Sequence, residues 1–319
     1  MAHQIASVNG KASIAYVGDK PWHGLGQELT QDASLETWKK EAGMDWEIKD
    51  SAILFNNGEE DVFYTGSRAL YRGDTKDQLS IVSDEYKVVQ PGEVLDFFQD
   101  LVSLQGMKLN TAGCLYGGKK FWALADTGRA TDVLGSDRVK GMLLLTTSCD
   151  GTMATNAMFT SVRVVCNNTL SFAMSADSKN ATRVTHRSVF DPTKVKADLG
   201  LLDSAWENFK TSITDMSKAK MTDTMAYDFV RKLLVNPSRE ADKQSYTVER
   251  DVAAILERAK NGMGSDKAYG TLWGVLNGVT EFVDHDSRAR IPDHALWGSW
   301  FGKGSSLKTK AFESALEMV

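Results

Sequence analysis

The chain has 319 residues, 42% of them hydrophobic and 25% charged, with a formal net charge of −5. That length supports one large core or two smaller ones, and the small negative charge excludes a strong whole-chain attraction to nucleic acid or membrane. The first residues carry no basic stretch leading into an apolar run, and no run approaches the roughly 20 apolar residues that span a bilayer. Neither a secretory signal nor a membrane span is therefore expected, and a cytoplasmic location follows.

Residues 1–31 read as an extended, glycine-punctuated arm. Within it, DKPWHGLGQEL (Asp19–Leu29) crowds Pro21, Trp22, His23, Gly24 and Gly26 into six positions. His23 has the chemistry of a general base at neutral pH, yet no Ser, Cys or carboxylate partner is set beside it by spacing. Proline stiffness, glycine freedom and an apolar Trp anchor favour a clasp that ties the arm down.

A short helix follows, with Ser34 as N-cap, LETWKKEA as body and Gly43 as stop. From Asp45 the pattern turns to strands: DWEIKDSAILF, VFYTGSRALYRG and LSIVSDEYKVV. Pro91-Gly92 opens a helix carrying Val94, Leu95, Phe97, Phe98, Leu101 and Val102 at helical spacing. MKLNTAGCLY and KKFWALAD, joined at Gly117-Gly118, form the clearest hairpin signal. A second pair turns at Asp150-Gly151. CNNTLSFAMSA reads as a short helix and ATRVTHRSV as one more strand.

Beyond Pro192 the chain is nearly all helix. Val195, Leu199, Leu202, Trp206, Phe209, Ile213 and Met216 form one apolar stripe. Thr222 caps MAYDFVRKLLV, and three further segments are TVERDVAAILERAKNG, AYGTLWGVLNGVTEFVDH and LKTKAFESALEMV. The expected class is α+β, with a β-hairpin-rich antiparallel sheet and packed helices in the N-terminal two thirds and a helical C-terminal third. The expected divisions are the arm (1–31), the sheet core (32–190) and the helical region (191–319).

Catalytic signatures are missing. GSWFGKGSS has the wrong spacing for a phosphate-binding loop, and no G-x-S-x-G or H-E-x-x-H occurs. Cys114, Cys149 and Cys166 are odd in number and form no C-x-x-C, so buried free thiols are expected. Glu281 and His285 stand i and i+4 on one helix face, which suits a divalent metal only with ligands from elsewhere, such as His23 or His294. A hydrogen-bonded cluster at a helix end is the plainer reading, and neither a metal nor a cofactor is expected.

Charge is segregated. Residues 27–102 hold 7 Lys and Arg against 17 Asp and Glu, a net of −10, whereas residues 103–197 hold 12 against 6, a net of +6. Lys119 and Lys120 follow the Gly-Gly turn beside Phe121 and Trp122, Arg138 and Lys140 lead into a strand, and Arg163 precedes the CNNTL segment. Arg183, His186 and Arg187 share the ATRVTHRSV segment. Cations beside aromatics suit single-stranded nucleic acid, where phosphates take the charge and bases stack on rings. Phe121 and Trp122 alternate in a strand, however, so at least one belongs to the core.

Four stretches bear a family resemblance: MAHQIASVNGKASIAYVGDKPWHGLG, LSIVSDEYKVVQPGEVLDFF, SVRVVCNNTL and LWGVLNGVTEFVDH. Together they resemble the phage/plasmid-like protein family, a domain of unknown function carried by bacteriophages, prophages and plasmids. The resemblance implies a cytoplasmic protein of a mobile element and brings no agreed activity. In element order and charge alone, residues 92–176, from the helix at 92–104 through the strands to Val165 and the short helix after Cys166, are similar to phage single-strand annealing recombinases, which form rings or filaments and hold single-stranded DNA in a basic groove. That similarity implies a homo-oligomeric protein that binds single-stranded DNA and anneals strands without a cofactor. Lys119, Lys120, Arg138, Lys140, Arg163, Arg183 and Arg187 would meet phosphates and Trp122 would stack. The competing expectations are an enzyme with a metal-assisted site at His23, Glu281 and His285, and a structural or regulatory protein acting on a host factor.

Overall fold

The computed structural model describes residues 7–8, 10–18, 25–163, 168–171, 181–189, 191, 202–236, 238, 241–286, 298–299 and 302–319. Two compact units divide the chain. One comprises Met1–Gly128, Met142–Met158 and Ser178–Gly200; the other comprises Arg129–Gly141, Phe159–Asp177 and Leu201–Val319. The architecture is α+β, with helices concentrated in the C-terminal part.

In the first unit, β1 (Ser7–Val8) pairs with β2 (Lys11–Ala12). β3 (Ile14–Val17) runs parallel to β4 (Gln27–Leu29) and antiparallel to β8 (Lys108–Leu115). The N-terminal segment read as an extended arm therefore supplies strands of the main sheet. Its signal is the short apolar run Ile14-Ala15-Tyr16, buried on both faces and lacking the alternation of a half-exposed strand. The Pro21–Gly24 part of the clasp lies outside the described residues.

Helix α1 (Leu35–Glu41) starts as its sequence indicates, with Ser34 Oγ accepting from the Thr37 N–H at 3.1 Å. It buries Trp38 and is joined to α2 (Pro91–Gln105) by Lys39, whose ammonium is 2.9 Å from Asp96. α2 buries Val94, Leu95, Phe97 and Phe98 and packs on β8. Between the two helices, β5 (Ile48–Asn56), β6 (Asp61–Arg72) and β7 (Gln78–Ser83) make a separate antiparallel sheet.

The main sheet continues through β9 (Lys120–Val133), β10 (Asp137–Ser148), β11 (Thr155–Arg163) and β12 (Asn168–Ser171), with β13 (Ala181–Val184) also on β11. β9, β10 and β11 are each divided between the two units. The Gly-Gly hairpin forms as expected, with Tyr116, Gly117 and Gly118 all at positive φ. The second hairpin turns at Gly151, also at positive φ. Residues 121–125 and 141–149 are buried throughout, so both faces of the sheet are covered there.

The CNNTL segment departs from its helical reading. Asn168–Ser171 is strand β12, paired antiparallel with β11 through Thr160↔Ser171 to Arg163↔Asn168. A run this short has no period that separates helix from strand. The unsatisfied backbone edge of β11 decides in favour of the strand.

In the second unit, α3 (Leu202–Lys218) buries Trp206, Phe209, Ile213 and Met216. Val195 and Leu199 of the expected stripe lie outside the described residues. α4 (Asp223–Leu234) is capped by Thr222, whose hydroxyl oxygen accepts from the Met225 N–H at 3.2 Å. α5 (Ala241–Asn261) buries Val248, Val252, Ile255 and Ala259. After the single turn α6 (Ser265–Ala268), α7 (Leu272–Glu281) is buried along its whole length and runs into a π-helical turn, Phe282–Asp286. α8 (Lys303–Leu316) and α7 both pack on β12. The tip of the β9–β10 hairpin, residues 129–141, groups with these helices. Its Asp137, itself buried, accepts from Trp273 Nε1 at 2.9 Å.

Candidate nucleic-acid interface

The cations singled out by sequence fall in both units and differ in what they can reach. In the first unit, Lys119 sits half-buried in the β8–β9 turn, while Arg183 on β13 and Arg187 in the following turn are exposed. Lys120 is only 8% exposed, its ammonium 5.1 Å from the centre of the Tyr116 ring. Burial lowers its pKa, opposed by the nearby Asp150 carboxylate. It is a packed lysine and a poor phosphate ligand.

Trp122 is the clearest correction. At 2% exposure it is core, and a base cannot stack on it. It faces Gly113 across the β8–β9 pair, and a Cβ at Gly113 would fall 2.5 Å from the indole and 2.5 Å from the Ser13 carbonyl. The glycine leaves the space the indole fills. Phe121, on the other face, packs 5.8 Å from the Trp46 ring and is also core.

In the second unit, Arg138 is exposed beside Asp132 at 3.4 Å, and Lys140 is half-buried. An exposed ion pair of that length gains little and leaves the guanidinium available to a phosphate. Arg163 ends β11, with its Cα opposite Asn168, and its side chain lies outside the described residues.

Two clusters that sequence reading missed hold the first-unit cations in place. Arg72, almost fully buried, lies 3.9 Å over the Trp46 ring and grips Asp74 with two hydrogen bonds (3.0 and 2.8 Å). Its third contact donates to the Gly117 carbonyl at 3.3 Å, fixing the turn that carries Lys119. The Arg72 guanidinium holds the Asp74 carboxyl below its usual value. A cavity of about 350 Å³ opens beside this cluster, lined in part by Lys11, Ser13, Lys40, Asp45 and Trp46.

The second cluster centres on His186. Its ring nitrogens lie 2.9 Å from the Lys87 carbonyl and 3.0 Å from the Met153 carbonyl. The ring stacks on Tyr86 at 4.4 Å, and the Lys87 N–H donates to the His186 carbonyl at 2.6 Å. Tyr86 in turn donates to the Ser148 carbonyl at 2.9 Å. These bonds pin the segment bearing Arg183 and Arg187 against the β10–β11 turn. His186 stood among the basic residues in sequence; that it serves as a clamp is visible only from partners 33 and 99 residues away.

The metal-like spacing resolves into ion pairs. Glu281, 1% exposed, accepts from Arg258 at 3.0 Å and from the Met263 N–H at 3.3 Å, and Arg258 also grips Asp286 at 2.6 and 2.7 Å. Among the described residues no group of three or more His, Cys, Asp or Glu is placed to hold a metal ion. His23 and His294 lie outside them.

Cys114 and Cys149 are free and buried. Burial raises the Cys114 thiol well above its ordinary pKa and pushes Cys149 up to about 12. Since the thiolate is the reactive form, neither is expected to react with a thiol reagent at pH 8 in the native protein, and both should react in denaturant. Rapid native labelling of either would show that the sheet opens around it. Cys166 lies outside the described residues.

An α+β chain with surface cations and buried ion pairs defines a structural class without an activity. The chain belongs to the family described as Domain of unknown function (DUF932), whose model matches residues 78–297, from β7 past the π-helical turn. No curated protein and no solved structure matches it. Among the described residues no helix is long and apolar enough to cross a membrane.

Proposed function

We propose that this protein binds single-stranded DNA and anneals complementary strands, as a cytoplasmic recombination protein of a phage or other mobile element. The observation that carries the reading is charge segregation: a net of +6 over residues 103–197, with Arg138, Arg183 and Arg187 exposed and Lys119 part-exposed. Cations held on strands and turns neutralise phosphates and release counterions, which draws two polyanionic strands together without a nucleophile or cofactor. Trp122 and Lys120 have no part in it. The mobile-element source rests on the resemblance to phage/plasmid-like proteins.

The test is fluorescence anisotropy of a labelled single strand titrated with protein at several salt concentrations, beside the matching duplex. Preference for the single strand and a linear fall of log affinity with log salt are expected. Changing Lys119, Arg183 and Arg187 together to alanine should reduce the salt slope by about 2, at roughly 0.7 per phosphate contact. Changing Arg138 and Lys140 to alanine should reduce it by about 1 on the same basis. No binding at low salt, or equal affinity for duplex, overturns the reading.

A further inference from the structure

The β5–β6 hairpin is apolar where a free hairpin should be polar. Along its distal half the partners are Ile53↔Tyr64, Leu54↔Phe63 and Phe55↔Val62. Opposed residues share a face, so Ile53, Phe55, Val62 and Tyr64 lie on one side and Leu54 and Phe63 on the other. Leu54, Phe55, Phe63 and Tyr64 are between 47% and 65% exposed. Phe55 and Tyr64 meet edge-on, with ring centres 6.4 Å apart. Their mutual contact covers only part of each ring.

The backbone is open as well. β7 pairs with β6 only from Ser67 to Tyr71, so residues 61–64 of β6 have β5 as their one strand partner, and β5 is itself an edge strand. A two-stranded ribbon is marginal in water unless a face is covered, and open apolar edges invite pairing with another chain. An aromatic side chain carries about 150–250 Å² of surface, so four half-exposed side chains leave roughly 400 Å² of apolar area. Divided between the two faces of the ribbon, that total is about half of the ~800 Å² each partner buries in a stable complex.

We infer that residues 51–67 form a self-association arm, and that the surface covering it belongs to a second copy of this chain. Charge selects that occupant. The ribbon ends in Glu59, Glu60 and Asp61, within a zone of net −10, and the same chain carries the zone of net +6. An acidic, aromatic element meeting a cationic surface of the next copy is a heterologous contact, which propagates into a ring or a filament. The arm itself lies outside the cationic residues assigned to DNA, but the zone of net +6 it would meet on the next copy contains them, so arm and single strand would compete for that surface.

Sedimentation velocity of the full chain, without nucleic acid and at low and high salt, tests it. Wild type should sediment as a dimer or larger species at low salt and dissociate toward monomer as salt rises. Phe55→Ser with Phe63→Ser should be monomeric at the same concentration, with circular dichroism and thermal midpoint close to wild type because both side chains are exposed. Glu59→Lys with Glu60→Lys should weaken association by at least tenfold. A wild type that stays monomeric at about 100 µM overturns the inference, as does association that all these variants retain. Either result leaves the DNA titration to be judged on its own.

Discussion

Replacing Lys308 by methionine is expected to lower the unfolding free energy by about 3–5 kcal/mol, the range for stranding one member of a buried ion pair. Lys308 on α8 is 2% exposed and its side-chain partner Asp284 is 7% exposed, with ammonium and carboxylate 2.8 Å apart. Asp284 also accepts from Ser299 at 2.6 Å. Losing the ammonium deprives a desolvated carboxylate of the Lys308 countercharge, and neutralising it by proton uptake also costs stability at neutral pH. The double change Lys308→Met with Asp284→Leu should recover most of the loss, because an apolar pair of similar volume is often as stable as a buried ion pair. Urea unfolding followed by circular dichroism measures both, with the midpoint falling at unchanged slope. A single-variant loss below about 1 kcal/mol would place the pair in contact with water.

The same reasoning explains what the sequence concealed at this end of the chain. Glu281 and His285 at i and i+4 mimic a ligand pair, yet the carboxylate of Glu281 is taken by Arg258, 23 residues earlier on α5. The π-helical turn from Phe282 to Asp286 adds a residue to the local repeat and breaks the i, i+4 geometry on which that spacing argument relied. Sequence spacing assumes a regular helix, and here the helix is irregular where the charges gather.

Where local chemistry decides, the sequence was readable. Ser34 and Thr222 cap the helices they were expected to cap. Gly117-Gly118 turns the hairpin because the turn needs positive φ. Pro91 opens α2. Where a distant partner decides, it was not. Ile14–Tyr16 becomes a sheet strand because β8, some 95 residues later, offers an edge. Asn168–Ser171 follows the free edge of β11. Among the site residues, Arg138, read as leading into a strand, does lie at the start of β10 and is exposed beside the β9–β10 turn, whereas Arg187, read on a strand, lies in a turn. Lys120 and Trp122 were not legible, since burial on both faces of β9 depends on what covers the sheet.

Trp122 is where the core and the proposed interface make opposite predictions. Trp122→Ala is expected to cost about 3–5 kcal/mol, the range for deleting a fully buried aromatic. The loss would be at the upper end if the cavity stays open. Gly113 opposite offers no side chain to collapse into it, and the neighbouring backbone is held, Ala112 by strand pairing and the Ser13 carbonyl by the Cys114 N–H at 2.9 Å. At a temperature where the variant is still folded, its affinity for single-stranded DNA should equal wild type within twofold, because a ring 2% exposed touches no ligand. Gly113→Val approaches the same contact from the other side. Its added carbon atoms have no room beside the indole and the Ser13 carbonyl, so it should also destabilise, by about 1–3 kcal/mol or more, with unchanged DNA affinity. If Trp122→Ala instead keeps its thermal midpoint and loses single-strand affinity, the covered face of the sheet opens in solution, and base stacking returns as part of the mechanism.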